Sequence, residues 1–196
     1  MGLGMTTTNL DKYNHILVVD LEATCCDMKS IPRHQMETIE IGAVMVVRET
    51  LEVVDEFQTF IKPMRHPILT NFCLELTSIT QSQVDTAPDF ATVMSRWQTW
   101  LSKFDRAIFG SWGEYDRTQF FQDSKHHQID LPYPVSSNHI NLKEIFSTAQ
   151  GLPKRYGMAQ ALDLANIPLT GTHHRGIDDA RNITKLLPYI LGRKMV

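Results

Sequence analysis

The run "ILVVDLEATC", Ile16 to Cys25, sets two carboxylates, Asp20 and Glu22, at the end of an apolar stretch. Side chains alternate faces along a strand, so Asp20 and Glu22 point the same way as Ile16 and Val18, their Cα atoms about 6.6 Å apart at ~3.3 Å per residue. From that spacing two carboxylates converge on one cation or on a close pair of cations. Like charges side by side in apolar surroundings are costly unless something positive neutralises them. The competing reading ends the strand at about Asp20 and leaves both acids solvated; spacing alone does not choose between the two.

A second cluster, "HHRGIDDAR", holds two adjacent aspartates that helical geometry separates. At ~100° per residue from Ile177, the residues Ala180, Ile183, Leu187, Ile190 and Leu191 fill one arc, with Asp179 on its edge and Asp178 on the side of Arg181 and Lys185. Asp179 is expected to face inward and Asp178 outward, where the helix dipole favours an acid. His174 precedes Gly176 in the loop entering this helix, a place from which an imidazole reaches over the same site; His173 competes for that role. In "FGSWGEYDRTQF" a strand turns into a helix, and Glu114, Asp116 and Asp123 are further acidic candidates. The first two lie near a strand's C-terminal end, where open α/β sheets place ligands.

These groups need a scaffold, and 196 residues suffice for one well-buried domain. The reading is a flexible N-terminal tail at 1–14 and a single domain at 15–194. After the first strand, "IEIGAVMVVRE" and "LEVVDEFQTFIKP" read as a hairpin beside it. "DFATVMSRWQTWLSKF" has helical spacing in Phe90, Val93, Met94, Trp97 and Leu101, with Asp89 as N-cap. "RAIFGS" is a short strand, "GEYDRTQFFQDSK" a helix, "HINLKEIF" a strand running into a helix, "YGMAQALDLANI" a helix and "IDDARNITKLLPYIL" the last one. Three consecutive strands followed by alternating strands and helices predict an α/β fold with a mixed sheet flanked by helices.

Composition narrows the function classes. Apolar residues make up 42% and charged residues 21%, as in ordinary globular proteins. A net charge of -3 lacks the basic footprint of a protein gripping long nucleic acid through many phosphates, so any such contact is local. No apolar run reaches the ~20 residues of a membrane span and no signal peptide is visible, so the expected location is the cytoplasm, without membrane attachment. Met1, Gly2 and Thr6 fit a loose myristoylation pattern too short to carry weight. Cys25, Cys26 and Cys73 make an odd count without C-x-x-C spacing, which indicates neither a disulfide framework nor a zinc site.

Taken in order, Asp20-x-Glu22 on a first strand, Asp116 after a later strand, and His174 followed by Asp179 resemble the DEDDh exonucleases, which have the ribonuclease-H-like fold. "DLEATC", "LTSITQSQVDTAPDF", "SWGEYD" and "HRGIDDAR" are similar, in that order, to segments of the Eri-type branch of that family, which includes the histone-mRNA 3′ exonuclease and KapD-like proteins. The resemblance covers nearly the whole chain, selects Asp116 over Glu114, and agrees with the choice of Asp179 over Asp178.

The resemblance implies a ribonuclease-H-like mixed sheet with three antiparallel strands followed by parallel ones, and hydrolysis of phosphodiester bonds from the 3′ end of single-stranded nucleic acid. RNA is favoured over DNA, and nucleoside 5′-monophosphates are the product. It implies two divalent metal ions, Mg²⁺ or Mn²⁺, held by Asp20, Glu22, Asp116 and Asp179. His174 would be general base, with Glu22 also orienting the attacking water. Substrate contacts would come from Thr24, Phe72, Leu76 and Tyr115, and Arg155, Arg175 and Arg181 are phosphate-contact candidates. The alternative is a regulatory protein that keeps the fold and binds a partner or an RNA end without significant turnover. Neither the physiological substrate nor the oligomeric state is legible in the sequence.

Overall fold

The apolar run with two acids at its end is strand β1 (His15–Ala23), and it passes through the middle of a five-stranded sheet of order β3-β2-β1-β4-β5. The computed structural model describes residues 10–27 and 30–196. On one side β1 pairs antiparallel with β2 (Thr38–Val47), and β2 with β3 (Val53–Phe60). On the other side it pairs parallel with β4 (Ala107–Ser111), and β4 with β5 (His139–Asn141). This is the α/β mixed sheet, three antiparallel strands followed by parallel ones, with helices on both faces. A strand covered on both faces buries both of its alternating sets. Ile16 and Val18 accordingly lie in one core, and Leu17, Val19 and Leu21 in another. Because β1 runs on to Ala23, both acids belong to the strand and share its Ile16 face.

Between β3 and the first long helix lie α1 (Asn71–Thr77) and α2 (Gln81–Asp85), too short to show an apolar repeat. Their signals are the caps: Thr70 accepts from the Cys73 N–H, and Thr80 forms a capping box with Gln83. Helix α3 (Phe90–Leu101) buries Phe90, Val93, Met94, Trp97 and Leu101, and Asp89 caps it by accepting from the Thr92 N–H at 2.8 Å. Trp97 stacks on Phe120 of α4 (Tyr115–His127), ring centroids 4.9 Å apart, and these two helices cover the Leu17 face. The Ile16 face is covered by α5 (Leu142–Ala149), α6 (Met158–Leu164), α7 (Gly176–Lys185) and α8 (Leu187–Ile190). The one terminal helix expected from "IDDARNITKLLPYIL" is therefore two, parted at Leu186. Pro188 in the first turn of α8 has no N–H to continue the α7 ladder. No helix among the described residues is long and apolar enough to cross a membrane.

The expected tail at 1–14 is corrected at its end. Residues 1–9, including the myristoylation pattern, lie outside the described residues, but Leu10 and Tyr13 are buried in the core of the α7 face. Asn14 donates its N–H to the Arg106 carbonyl at 2.9 Å, and Arg48 donates to the Tyr13 carbonyl at 3.0 Å.

One contact sets the position of α7. A Cβ added at Gly42 of β2 would lie 2.0 Å from the Gly176 carbonyl carbon, and one added at Gly176 would lie 2.9 Å from the Asp20 carbonyl oxygen. The first turn of α7 thus rests directly on the backbones of β1 and β2, with no side chain between. Gly42→Ala is expected to destabilise the fold by about 3 kcal/mol or more, since backbone rather than a yielding side chain must move. Gly157→Ala, whose added methyl would meet only Gln160 Oε1 at 3.7 Å, should change stability by no more than about 1 kcal/mol. Urea midpoints of the two variants check the contrast; equal shifts would remove the close approach as a constraint.

Candidate active site

The site lies where β1 outlasts its parallel neighbour. The β1–β4 register ends at Val18↔Gly110, and after Ser111 the chain leaves the sheet to enter α4. Beyond that point the β1 edge has lost its strand partner, and the Leu21 N–H is taken instead by Asp116 Oδ1 at 3.0 Å. Asp116, in the first turn of α4, is thereby held against the end of β1. Of the other two acids in that segment, Glu114 is exposed and turned toward His139 and Asn141. Asp123 is buried farther along α4, where it accepts from the Thr38 N–H and hydroxyl and from Gln119. Neither joins the cluster at the end of β1.

From the opposite layer α7 brings Asp179. It is buried, whereas Asp178 lies toward solvent, bonded to the Thr172 N–H and Arg181. Among the described residues, carboxylate oxygens of Asp20, Glu22 and Asp179 lie within 4.8 Å of one another. A fifth acid, missed by the sequence reading, completes the surroundings. Glu40 of β2 stands directly across from Glu22 and has no exposed surface. It accepts from Arg175 Nε at 3.1 Å, a second Arg175 nitrogen at 3.2 Å, the Gly176 N–H at 3.0 Å and Gln58 at 2.9 Å. Its charge is compensated, and it ties the start of α7 to β2. The signal was the same one that marks Asp20: a carboxylate inside an apolar strand run.

Electrostatics sets the remaining four acids apart. Burial first, then the charges of Asp116, Glu22, Asp179 and Glu40, hold the Asp20 carboxyl well above the usual aspartate range. Glu22 is pushed up to about 9 by burial, with Asp179, Glu40 and Asp116 adding to it. Asp116 is raised to about 6 by burial, against the opposing pull of the Leu21 N–H. Asp179 is raised by burial too, although the His174 N–H and His173 work the other way.

The two histidines divide their contacts. His173 Nδ1 lies 3.1 and 2.9 Å from the two Asp179 oxygens, while His174 donates its backbone N–H to Asp179 Oδ2 at 3.0 Å. Their rings stack with centroids 3.9 Å apart. His174 has φ +64°, a left-handed conformation uncommon for a non-glycine residue and of the kind that concentrates at functional sites. Burial, with His173 beside it, lowers its pKa.

Of the four candidate substrate contacts, Phe72 and Tyr115 present exposed rings and Leu76 is partly exposed. Thr24 is corrected: it is buried, and its hydroxyl accepts from the Glu37 N–H at 3.0 Å, so it braces the loop after β1 and offers no free surface. Arg33, which nothing in the sequence singled out, lies over the Tyr115 ring at 3.5 Å. The three arginines considered for phosphate are all engaged with carboxylates: Arg155 with Glu144, Arg175 with Glu40, Arg181 with Glu56 and Asp178.

Known proteins share the fold and the family of this chain. Residues 17–187 match the family model described as Exonuclease, RNase_T. The "ERI1 exoribonuclease 3" of Mus musculus is 31% identical over 194 residues, an alignment covering 94% of this chain and 56% of that protein. The chain thus spans little more than half the length of that relative. A solved structure of a 3′-exonuclease in 3′-end-specific recognition of a histone mRNA stem-loop superposes with a TM-score of 0.84 at 26% identity, covering 92% of this chain and 64% of that one. The nuclease domain of 3'hExo, a DEDDh family member, bound to rAMP, superposes at 0.82 with 27% identity, covering 90% of each chain.

The raised carboxyls predict how stability responds to pH. A carboxyl whose pKa is higher in the folded chain keeps its proton longer when folded, so stability falls as pH rises from the unfolded to the folded value. For Glu22 that window extends up to about 9. His174, with its lowered pKa, acts in the opposite sense only around and below its ordinary value. Between about pH 7 and pH 9, therefore, Glu22 should lower stability as pH rises in EDTA, by up to about 1.4 kcal/mol per pH unit, while Cys73, whose thiol the bond to Cys25 lowers to about 7, acts in the opposite sense. Glu22→Gln, or excess Mg²⁺, should shift the slope in the positive direction relative to the untreated wild type. Thermal melting across that range measures it, and a slope unchanged in Glu22→Gln would show Glu22 to be well solvated.

Proposed function

The chain belongs to the Exonuclease (RNase_T) family, and from that premise we propose that it is a metal-dependent 3′ to 5′ exonuclease. Its substrate is single-stranded nucleic acid, RNA in preference to DNA, and its product is a nucleoside 5′-monophosphate. The observation that carries this reading is the convergence of Asp20, Glu22 and Asp179 within 4.8 Å, joined by Asp116 at the free edge of β1. Buried like charges of this kind are unstable without a compensating cation, and an all-oxygen donor set suits hard ions such as Mg²⁺ or Mn²⁺. Asp20, Glu22, Asp116 and Asp179 are the residues that would hold two such ions, which when bound supply charge stabilisation at phosphorus and a more acidic water.

The chain's own groups do the rest. His174, kept largely unprotonated near neutral pH by its lowered pKa, accepts the proton of the attacking water. Glu22 orients that water, and the Leu21 N–H fixes the Asp116 carboxylate. The exposed ring of Phe72, and the face of Tyr115 that Arg33 does not cover, offer stacking surfaces for the terminal bases, a contact indifferent to sequence. The likeness to a nuclease domain bound to rAMP supports the choice of an RNA 3′ end.

With 5′-labelled single-stranded RNA and Mg²⁺, progressive shortening from the 3′ end and release of monophosphates are expected. Asp20→Asn and Asp179→Asn should abolish it, and His174→Ala should slow it by roughly 10²-fold or more, the usual worth of a general base. No shortening with any divalent metal, or full activity in Asp20→Asn, would overturn the proposal. Faster digestion of the matched DNA would overturn the RNA preference alone.

A further inference from the structure

A second group of ligand-type side chains shares Asp179 with the carboxylate cluster. Among the described residues, a nitrogen of His173, one of His174 and a carboxylate oxygen of Asp179 also lie within 4.8 Å of one another. We propose that His173, His174 and Asp179 form a distinct site for a borderline-soft divalent transition-metal ion such as Zn²⁺, and that its occupation inhibits the nuclease. The inhibitory consequence rests on the exonuclease reading; the site itself does not.

The two sets differ in donor chemistry. Asp20, Glu22 and Asp179 offer only oxygen, whereas the second set offers two imidazole nitrogens and one carboxylate. Imidazole favours zinc, copper and nickel over magnesium, and three protein ligands leave the fourth position of a zinc ion open to solvent. The loop that carries the second set is fixed to α7 before any ion arrives. The left-handed turn at His174 brings both rings beside Asp179, with His173 Nδ1 reaching both of its oxygens; the rings, stacked 3.9 Å apart and 20° from parallel, turn apart when both in-plane nitrogens take one ion. The loop is pinned to α7 at three points. The Thr172 N–H donates to Asp178 at 2.9 Å, the Thr170 N–H donates to Asn182 at 3.1 Å, and Asn182 returns a bond to the Thr170 carbonyl at 2.8 Å.

Sharing Asp179 couples the two sets. An ion held by His173, His174 and Asp179 withdraws an oxygen from the carboxylate cluster and the ring nitrogen of His174 from proton transfer. His173 is exposed at the rim, so such an ion reaches the set from solvent. It belongs to this set alone, as Asp20 belongs to the other, and the two residues therefore separate the sites experimentally.

The test uses the full chain stripped with EDTA, without RNA or Mg²⁺. Zn²⁺ affinity is measured by titration calorimetry, and Co²⁺ serves as a visible-absorption probe of nitrogen ligation. Zn²⁺ is expected to bind and to displace Co²⁺, and excess Mg²⁺ is not. His173→Asn and His173→Gln should each weaken Zn²⁺ by more than the roughly 10-fold lost with an outer-shell partner, and Asp20→Asn should leave it unchanged. Wild-type affinity in both His173 variants overturns the site, as does a loss in Asp20→Asn equal to theirs, which would place the ion in the carboxylate cluster. In RNA digestion at fixed Mg²⁺, Zn²⁺ should inhibit, with its midpoint raised in the His173 variants. Zinc binding that leaves digestion untouched overturns the inhibitory role. Should the chain digest no RNA at all, the calorimetric and absorption arms still decide the site.

Discussion

The approach of Gly176 to Gly42 is the contact on which the rest of the site depends. Two backbones meet where any side chain would hold them apart, and α7 therefore begins directly above β1 and β2. Three consequences follow from that single packing fact. Asp179, one turn into the helix, comes down beside Asp20 and Glu22. Arg175, one residue before the glycine, reaches Glu40. The loop preceding the helix turns tightly and sets both histidines against the Asp179 carboxylate.

The sheet contributes the opposite wall by ending unevenly. Because β4 departs after Ser111 while β1 continues to Ala23, the middle strand carries unpaired backbone into a crevice at the C-terminal edge of the parallel pair. Asp116 satisfies one of those groups and is oriented by it. Acids from a strand, from the helix layer on one face and from the helix layer on the other are thus gathered at one point, and burial raises all of their pKa values. Glu40 is the instructive contrast. It faces Glu22 across the ladder and is more deeply buried, yet a guanidinium, a backbone N–H and an amide compensate it. Compensation makes one carboxylate a clamp, and its absence leaves the others open to the cations proposed above.

Asp20, Glu22, Asp179 and the α/β plan were legible in the sequence because they obey short-range rules. A period of two places both acids of β1 on one face, and the turn of an α-helix separates Asp179 from Asp178. Choosing Asp116 among three acids required either a family resemblance or the fold, since the distinguishing bond runs to Leu21, 95 residues away. The caps of α1 and α2 are local signals that periodicity overlooks, and Leu10 and Tyr13 read as tail because their partners are remote in the chain.

The sequence by itself determined which residues carry charge, which strand and helix faces they occupy, and the order in which those elements arise. All of these follow from backbone geometry repeating every two or 3.6 residues. Only the tertiary structure decided which charges are left uncompensated, that Glu40 is neutralised by Arg175, that Thr24 is closed off by Glu37, and that His173 rather than His174 touches the Asp179 carboxylate through its ring. Those outcomes depend on distances between segments far apart in the chain, and the backbone approach at Gly42 and Gly176 sets several of them.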